Sequence, residues 1–276
     1  MRRLILALVL LAGGGAQAET PVPENSPDPL ARTLPVPVVA PEAKGSFFLG
    51  ASHSALTSGY GTWNAAEARL VVEQGSNTWY GDVARREQFN DQGTAFGAGL
   101  SHVFNPDWYA SGFISGSSGG FFLPQRRIDL FLHRKWLDDR SLVTTVGIGH
   151  VDAKDGHRDN SLFLAATLYT QSKLVLEGGV RFNRSDPGQV DSARPFVAVT
   201  WGEAKRQYLS ARVESGREAY QLISPGAAIS DFHSTLATLG WRRWITKDSG
   251  IQVTGEYYEN PNYRRRGIGL AFFRDF

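Results

Sequence analysis

The sequence predicts an all-β chain: a transmembrane antiparallel up-and-down β-barrel of about 14 strands with both ends on the periplasmic side. Three observations predict it. Apolar and polar residues alternate in segments of about 9–13 residues, the length that a tilted membrane strand needs. No stretch of about 20 apolar residues exists, and the mean hydropathy is −0.25, so helical spans are excluded. The polar face of the alternating segments carries charges of both signs, which suits a wet barrel lumen better than the dry core of a soluble sandwich.

The first residues read as an export signal. Arg2 and Arg3 give a basic start, residues 4–12 an apolar core, and Ala16-Gln17-Ala18 a small-x-small cleavage site. Residues 1–18 are therefore expected to be removed, leaving Glu19 as the first mature residue. Residues 19–44 hold Pro21, Pro23, Pro27, Pro29, Pro35, Pro37 and Pro41, more than half of the chain's 13 prolines. Proline neither donates to a ladder nor fits inside a helix, so this stretch is expected to be an extended, disordered periplasmic tail. The absence of cysteine excludes a lipid-modified N-terminal Cys, disulfides and Cys-ligated metal.

The body runs over 45–276. Alternation places strands near 45–56, 62–74, 78–88, 93–104, 107–117, 125–137, 140–152, 158–170, 172–185, 192–202, 205–217, 230–244, 249–259 and 263–276; if the weakest pair is not formed, about twelve remain. In 172–184, Leu174, Leu176, Gly178, Val180 and Phe182 share one face and oppose Lys173, Glu177, Arg181 and Asn183. In 125–137, Ile128, Leu130, Leu132 and Trp136 oppose Arg127, Asp129, His133 and Lys135. Short polar turns near 75–77, 105–107, 138–140, 171–172, 203–204 and 247–249 recur about every 30 residues, one hairpin of membrane strands. The connections between them are expected to include three longer loops, which is the outer-membrane pattern of short turns on one side and longer loops on the other. The chain closes on an aromatic strand, with Ile268, Leu270, Phe272 and Phe276 on one face, interrupted by Arg274.

Candidate lumen-lining residues are Glu67, Arg69, Arg127, Asp129, His133, Glu177, Arg181, Arg212, Glu214 and Glu256. They either form an ion-pair network that fills the bore or line a pore. Aromatics near strand ends are expected to form interfacial girdles: Trp63, Trp79, Trp108, Tyr109, Trp136, Trp201, Trp241, Trp244, Tyr257 and Tyr258. The stretch 216–226, expected to be a loop, offers Arg217, Glu218 and Tyr220, a mix that serves either sugar stacking and hydrogen bonding or an ordinary solvated rim. A net charge of +2 gives no basic field for nucleic acid. The six histidines have no metal-ligand spacing, no metal or other cofactor is expected, and Gly116-Ser117-Ser118-Gly119-Gly120 lacks the following helix that a nucleophile elbow needs. No catalytic residue is expected, and the chain is not expected to be an enzyme.

Scattered pieces, in order, carry a resemblance: Asp91-Gln92-Gly93-Thr94, Asn105-Pro106-Asp107-Trp108, Phe122-Leu123-Pro124-Gln125, Ser215-Gly216-Arg217-Glu218-Ala219-Tyr220 and the closing segment 257–276. In these the chain resembles the YaiO family of outer-membrane β-barrel proteins. The resemblance implies a barrel in the outer membrane of a Gram-negative bacterium, associated with surface-polysaccharide machinery, and it brings no catalytic residues. The expected role is a pore or pore accessory in polysaccharide export or envelope biogenesis. The alternatives are a plugged structural or receptor barrel without transport and, third, an outer-membrane lipid-modifying enzyme acting through Ser118. Expected partners are outer-membrane lipids and lipopolysaccharide, the barrel assembly machinery through Phe276, and polysaccharide.

Overall fold

The computed structural model describes residues 44–276. The expected signal peptide and nearly all of the proline-rich tail lie outside the described residues. Fourteen strands follow one another: β1 (Lys44–Leu56), β2 (Thr62–Gln74), β3 (Asn77–Gln88), β4 (Asp91–Asn105), β5 (Trp108–Gly119), β6 (Arg126–Trp136), β7 (Leu142–Asp152), β8 (Arg158–Tyr169), β9 (Leu174–Asp186), β10 (Val190–Glu203), β11 (Gln207–Ser224), β12 (Ala227–Trp244), β13 (Ser249–Glu259) and β14 (Arg264–Asp275). Each pairs antiparallel with its neighbour in sequence. β14 pairs with β1 from Ser46↔Asp275 to Leu56↔Arg265, so the sheet closes into a barrel. Closure matters because an open edge would leave peptide groups unpaired in hydrocarbon.

The period of two divides every strand between lipid and lumen. On β6, Ile128, Leu130 and Leu132 stand exposed on the outer face, while Arg127, Asp129, Phe131, His133 and Lys135 are buried on the inner one. Exposed Leu70, Phe96, Ile114, Ile148, Leu176, Val197, Leu239 and Leu270 continue the apolar belt around the barrel. Elsewhere a large apolar residue in water loses the hydrophobic term; here the hydrocarbon supplies it.

The expected girdle divides in two. Trp79, Trp136 and Trp201 are exposed on the outer face, with Trp108 and Trp241 at the same parity on their strands. Trp63, Tyr109, Trp244 and Tyr258, by contrast, are buried on the inner face. They were expected at the interface because they lie near strand ends, but parity, not position along the strand, decides the face. The connections are also corrected. They are short on both rims: 116–119 belong to β5, 185–186 and 190–191 to β9 and β10, and 217–224 to β11. Loop length therefore does not distinguish the rim that carries residues 44 and 276 (the terminal rim) from the opposite, distal rim.

One hairpin leaves the wall. The β10–β11 ladder runs from Glu203↔Gln207 to Phe196↔Glu214 and stops. The next residue on β10 is Pro195, which has no N–H to donate. The β12–β13 ladder stops at Thr235↔Glu259. Beyond these points residues 216–234 pair only with each other, as a two-stranded ribbon that starts from the Ser215↔Thr235 pair. The ribbon turns inward at Gly216, where an added Cβ would lie 2.2 Å from the Ala193 carbonyl oxygen and 3.0 Å from Arg194 Cα. Asp231 takes a left-handed φ of 52°, and the ladder passes from Glu218↔Phe232 to Tyr220↔Ser230 without an Ala219–Asp231 pair. The bend brings β11 beside β9, which is not its ladder neighbour.

Candidate functional site

The inner face is a set of ion pairs held by strand parity. On β6, Arg127 donates twice to Asp129, Nε to Oδ2 at 2.6 Å and Nη2 to Oδ1 at 3.1 Å, with the residues 3% and 1% exposed. Two-residue spacing puts both on one face, and the fork of the guanidinium matches the carboxylate. Further along the same face His133, also 1% exposed, lies between Ser111 Oγ (3.2 Å from Nε2) and Thr145 Oγ1 (2.9 Å from Nδ1). Its ring stacks on Tyr109 at 4.2 Å.

A second group spans β9 to β13. Arg212 lies 3.2 Å from Glu214 and 3.8 Å from Glu177, and its guanidinium sits 3.7 Å from the Phe196 ring centroid. Arg194 lies 3.0 Å from Glu214 and 3.5 Å from Glu218. Glu218 also accepts from Ser234 Oγ and, at 2.9 Å, from Tyr258 Oη. Arg181 lies over the Phe163 ring at 5.3 Å. A third group joins β14 to β13 and β2. Arg265 donates to Glu256 at 2.6 Å and packs over Trp63 and Tyr258. On β2 and β3, Arg69 stands opposite Asp82 with Glu67 one step along, and these inner positions are half-buried.

The ten lumen candidates thus lie at inner-face positions of their strands. Arg127 and Asp129 meet, as do Arg212, Glu214 and Glu177; Glu67 and His133 lie apart from those groups. Sequence reasoning missed Asp82, Arg86, Arg194, Arg242 and Arg265. Arg265 was readable: Ile268, Leu270 and Phe272 face out, so odd-numbered residues of that strand face in. Arg194 was readable in the same way: Val197, Val199 and Trp201 face out, so even-numbered residues of β10 face in.

The candidate loop 216–226 is corrected. Arg217, Glu218 and Tyr220 belong to β11, and the turn of the hairpin is only 225–226. Arg217 is exposed and pairs with Asp231, whereas Glu218 is buried in the inner network. Tyr220 crosses the mouth. Its hydroxyl donates to Asp155 at 2.5 Å, and its ring stacks on His157 with centroids 3.6 Å apart. Gln221, fully buried, donates to Tyr263 Oη at 2.5 Å and accepts from Asn260 Nδ2 at 3.1 Å. Partial burial pushes the Asp155 carboxyl up, but hydrogen bonds from Tyr220 and the His157 backbone N–H, with the His157 ring alongside, outweigh it and hold the group below the usual carboxylate range. The rest of the mouth is aromatic: Tyr60 packs on Tyr263 at 5.1 Å and Trp63 on Phe89 at 4.9 Å. Beneath the ribbon is a polar cavity of about 30 Å³ between Arg127, Asp159, Arg181 and Asn183 of the wall and Glu218 and Tyr220 of the ribbon. That volume holds two or three waters, at roughly 10–15 Å³ each.

The model for the YaiO membrane β-barrel domain matches residues 44–221. The chain belongs to the YaiO membrane β-barrel family. The match to the YaiO domain ends within the ribbon, at Gln221 of β11. Among curated proteins there is no significant match to this YaiO-family chain. Solved structures similar to it are outer-membrane barrels. A bacterial polysaccharide outer membrane secretin aligns with a TM-score of 0.55 at 9% identity, covering 84% of this chain and 98% of that one. The Acinetobacter baumannii outer membrane protein Omp33 aligns at 0.52 and 10% identity, covering 83% and 98%. In-vitro folded OmpT of Vibrio cholerae aligns at 0.50 and 10% identity, covering 84% and 97%. At such identities the likeness shows the fold alone. The YaiO-family barrel is thus a protein of the Gram-negative outer membrane.

Proposed function

We propose that this YaiO-family barrel is a filled, non-conducting body that serves envelope biogenesis or surface-polysaccharide export as an accessory or receptor, not as an open pore. One observation carries the reading: the inner-face charges are packed against each other. Arg265 is 0% exposed, Asp129 1%, Arg127 3%, Arg194 5% and Glu218 6%. In an open channel the lining charges stand in water and present a field to the passing solute. Here carboxylates and guanidinium groups neutralise one another at hydrogen-bond distance, and the distal mouth is covered by the ribbon and an aromatic cluster. Polysaccharide as the ligand follows from the family resemblance. The tyrosines and planar polar side chains at the mouth have the chemistry to stack on and hydrogen-bond a sugar. The test is planar-bilayer conductance of the refolded protein. Silence at all voltages is expected; a steady ohmic conductance in the unmodified protein overturns the reading.

A further inference from the structure

We propose that residues 216–234 are a hinged lid over the distal mouth rather than a fixed part of the wall. Three features of the chain support it. First, the ribbon has no ladder to either flanking strand. β10 stops pairing at Phe196, and β13 reaches β12 only as far as Thr235. A two-stranded ribbon alone is marginal in water, so its seat depends on side-chain contacts. Second, the polar contacts that seat it come from three neighbouring residues: Tyr220 to Asp155 and His157, Gln221 to Tyr263 and Asn260, and Glu218 to Arg194 and Tyr258, with Ala219, Leu222 and Phe232 buried beside them. Arg194 also lies 3.0 Å from Glu214, which is still paired to β10, so it has a carboxylate beside it that does not belong to the ribbon. Third, the backbone is built to bend where the ribbon leaves the wall. Gly216 passes so close to Ala193 and Arg194 that a side chain there has no room, and Asp231 on the facing strand is in the left-handed region. The part that moves carries Glu218 and Tyr220, which roof the polar cavity.

The inference rests on the filled-barrel reading only in asking what opens the mouth, and its test is separate. The chain has no cysteine, so single thiols report cleanly. Ser161→Cys places a thiol in the cavity wall, and Ser58→Cys, exposed in the connection 57–61, gives the unhindered rate for the same membrane-impermeant maleimide. Three lid changes are made on the Ser161→Cys protein: Tyr220→Ala, Gly216→Val, and replacement of 217–231 by a short turn. Heat-modifiable gel mobility identifies the variants that fold. Slow labelling is expected with the lid intact. Loss of the Tyr220 hydrogen bond and ring stack should raise the rate about tenfold, and excision should bring it to the Ser58→Cys rate. Equal labelling of Ser161→Cys in the parent and in every folded lid variant overturns the proposal. A conducting wild type with lid-dependent labelling removes the filled-barrel reading and leaves the lid; a silent wild type with lid-independent labelling does the reverse.

Discussion

Leu130 faces lipid and Asp129, its neighbour in sequence, faces Arg127 inside the barrel, so adjacent residues on β6 obey opposite rules. Removing Asp129 leaves a buried guanidinium without its carboxylate. Asp129→Ala should cost roughly 3–5 kcal/mol, whereas replacing the pair together, Arg127→Met with Asp129→Leu, should recover most of that. Urea unfolding of the protein in lipid vesicles measures both. If Asp129→Ala unfolds at the native midpoint, the pair is wet and the packed-interior account is wrong. At the next position the sign of the chemistry inverts. Leu130→Arg puts a cation on the apolar belt and should cost about 2–4 kcal/mol, the penalty for a lipid-facing cation near the bilayer midplane. An Arg at 130 that leaves the unfolding midpoint in place would mean that β6 is turned the other way.

At the scale of elements, the ribbon is held by a latch that titrates. Asp155 lies in the connection 153–157, and its carboxyl sits below the ordinary aspartate range. A carboxyl depressed in the folded state stabilises that state fully above its unfolded value, about 3.9, and loses the contribution as pH falls through the lower folded value. The Asp155 contribution to the latch should therefore be constant between about pH 5 and 8 and fade below about pH 4. Spin labels on Ala228→Cys, at the ribbon tip, and Ser58→Cys, across the rim, read this as a distance. A second, longer population should grow on acidification, and Asp155→Asn should show it already at neutral pH. A single distance down to pH 3 in both proteins removes Asp155 from the latch. The ribbon is also where the sequence was hardest to read. Predicted and observed boundaries of β1 to β10, β13 and β14 agree to within a few residues, because lipid on one side and charge on the other impose strict alternation. Residues 218–222 lack it: Glu218 and Ala219 are both buried, and so are Gln221 and Leu222. A strand covered on both faces reads as a loop when alternation is the only signal. Trp63, Trp244 and Tyr258 misled in another way. Girdle logic reads depth along the strand, whereas parity within the strand, against exposed Leu70 for Trp63 and exposed Leu239 for Trp244, fixes the side.

For the whole molecule, closure makes the membrane fold possible, and it depends on the first and last strands finding each other. The seam is continuous from Leu56↔Arg265 to Ser46↔Asp275, and Gly45 and Phe276 then exchange two backbone hydrogen bonds of 2.9 Å. Asp275 fastens the seam to residues further round: it accepts from Lys205 Nζ, in the connection 204–206, at 2.7 Å and from Trp244 Nε1 of β12 at 2.9 Å. Deleting 264–276 leaves β1 and β13 with open edges, and each unpaired N–H or C=O facing hydrocarbon costs several kcal/mol. Over a dozen residues this exceeds the whole stability of a typical domain, about 5–15 kcal/mol. The truncated chain should therefore never acquire the heat-modifiable mobility or the trypsin resistance of the folded barrel in lipid vesicles. Asp275→Ala, which loosens the fastening but spares the ladder, should fold and lose only a few kcal/mol, in the range for charged hydrogen bonds of about 1.5–3 kcal/mol each. Trypsin resistance of the truncated chain at the native level would show that the sheet does not need its last strand. In that case β13 would have to pair directly with β1, closing a barrel of odd strand number through a parallel β1–β13 contact in place of the antiparallel seam that β14 supplies.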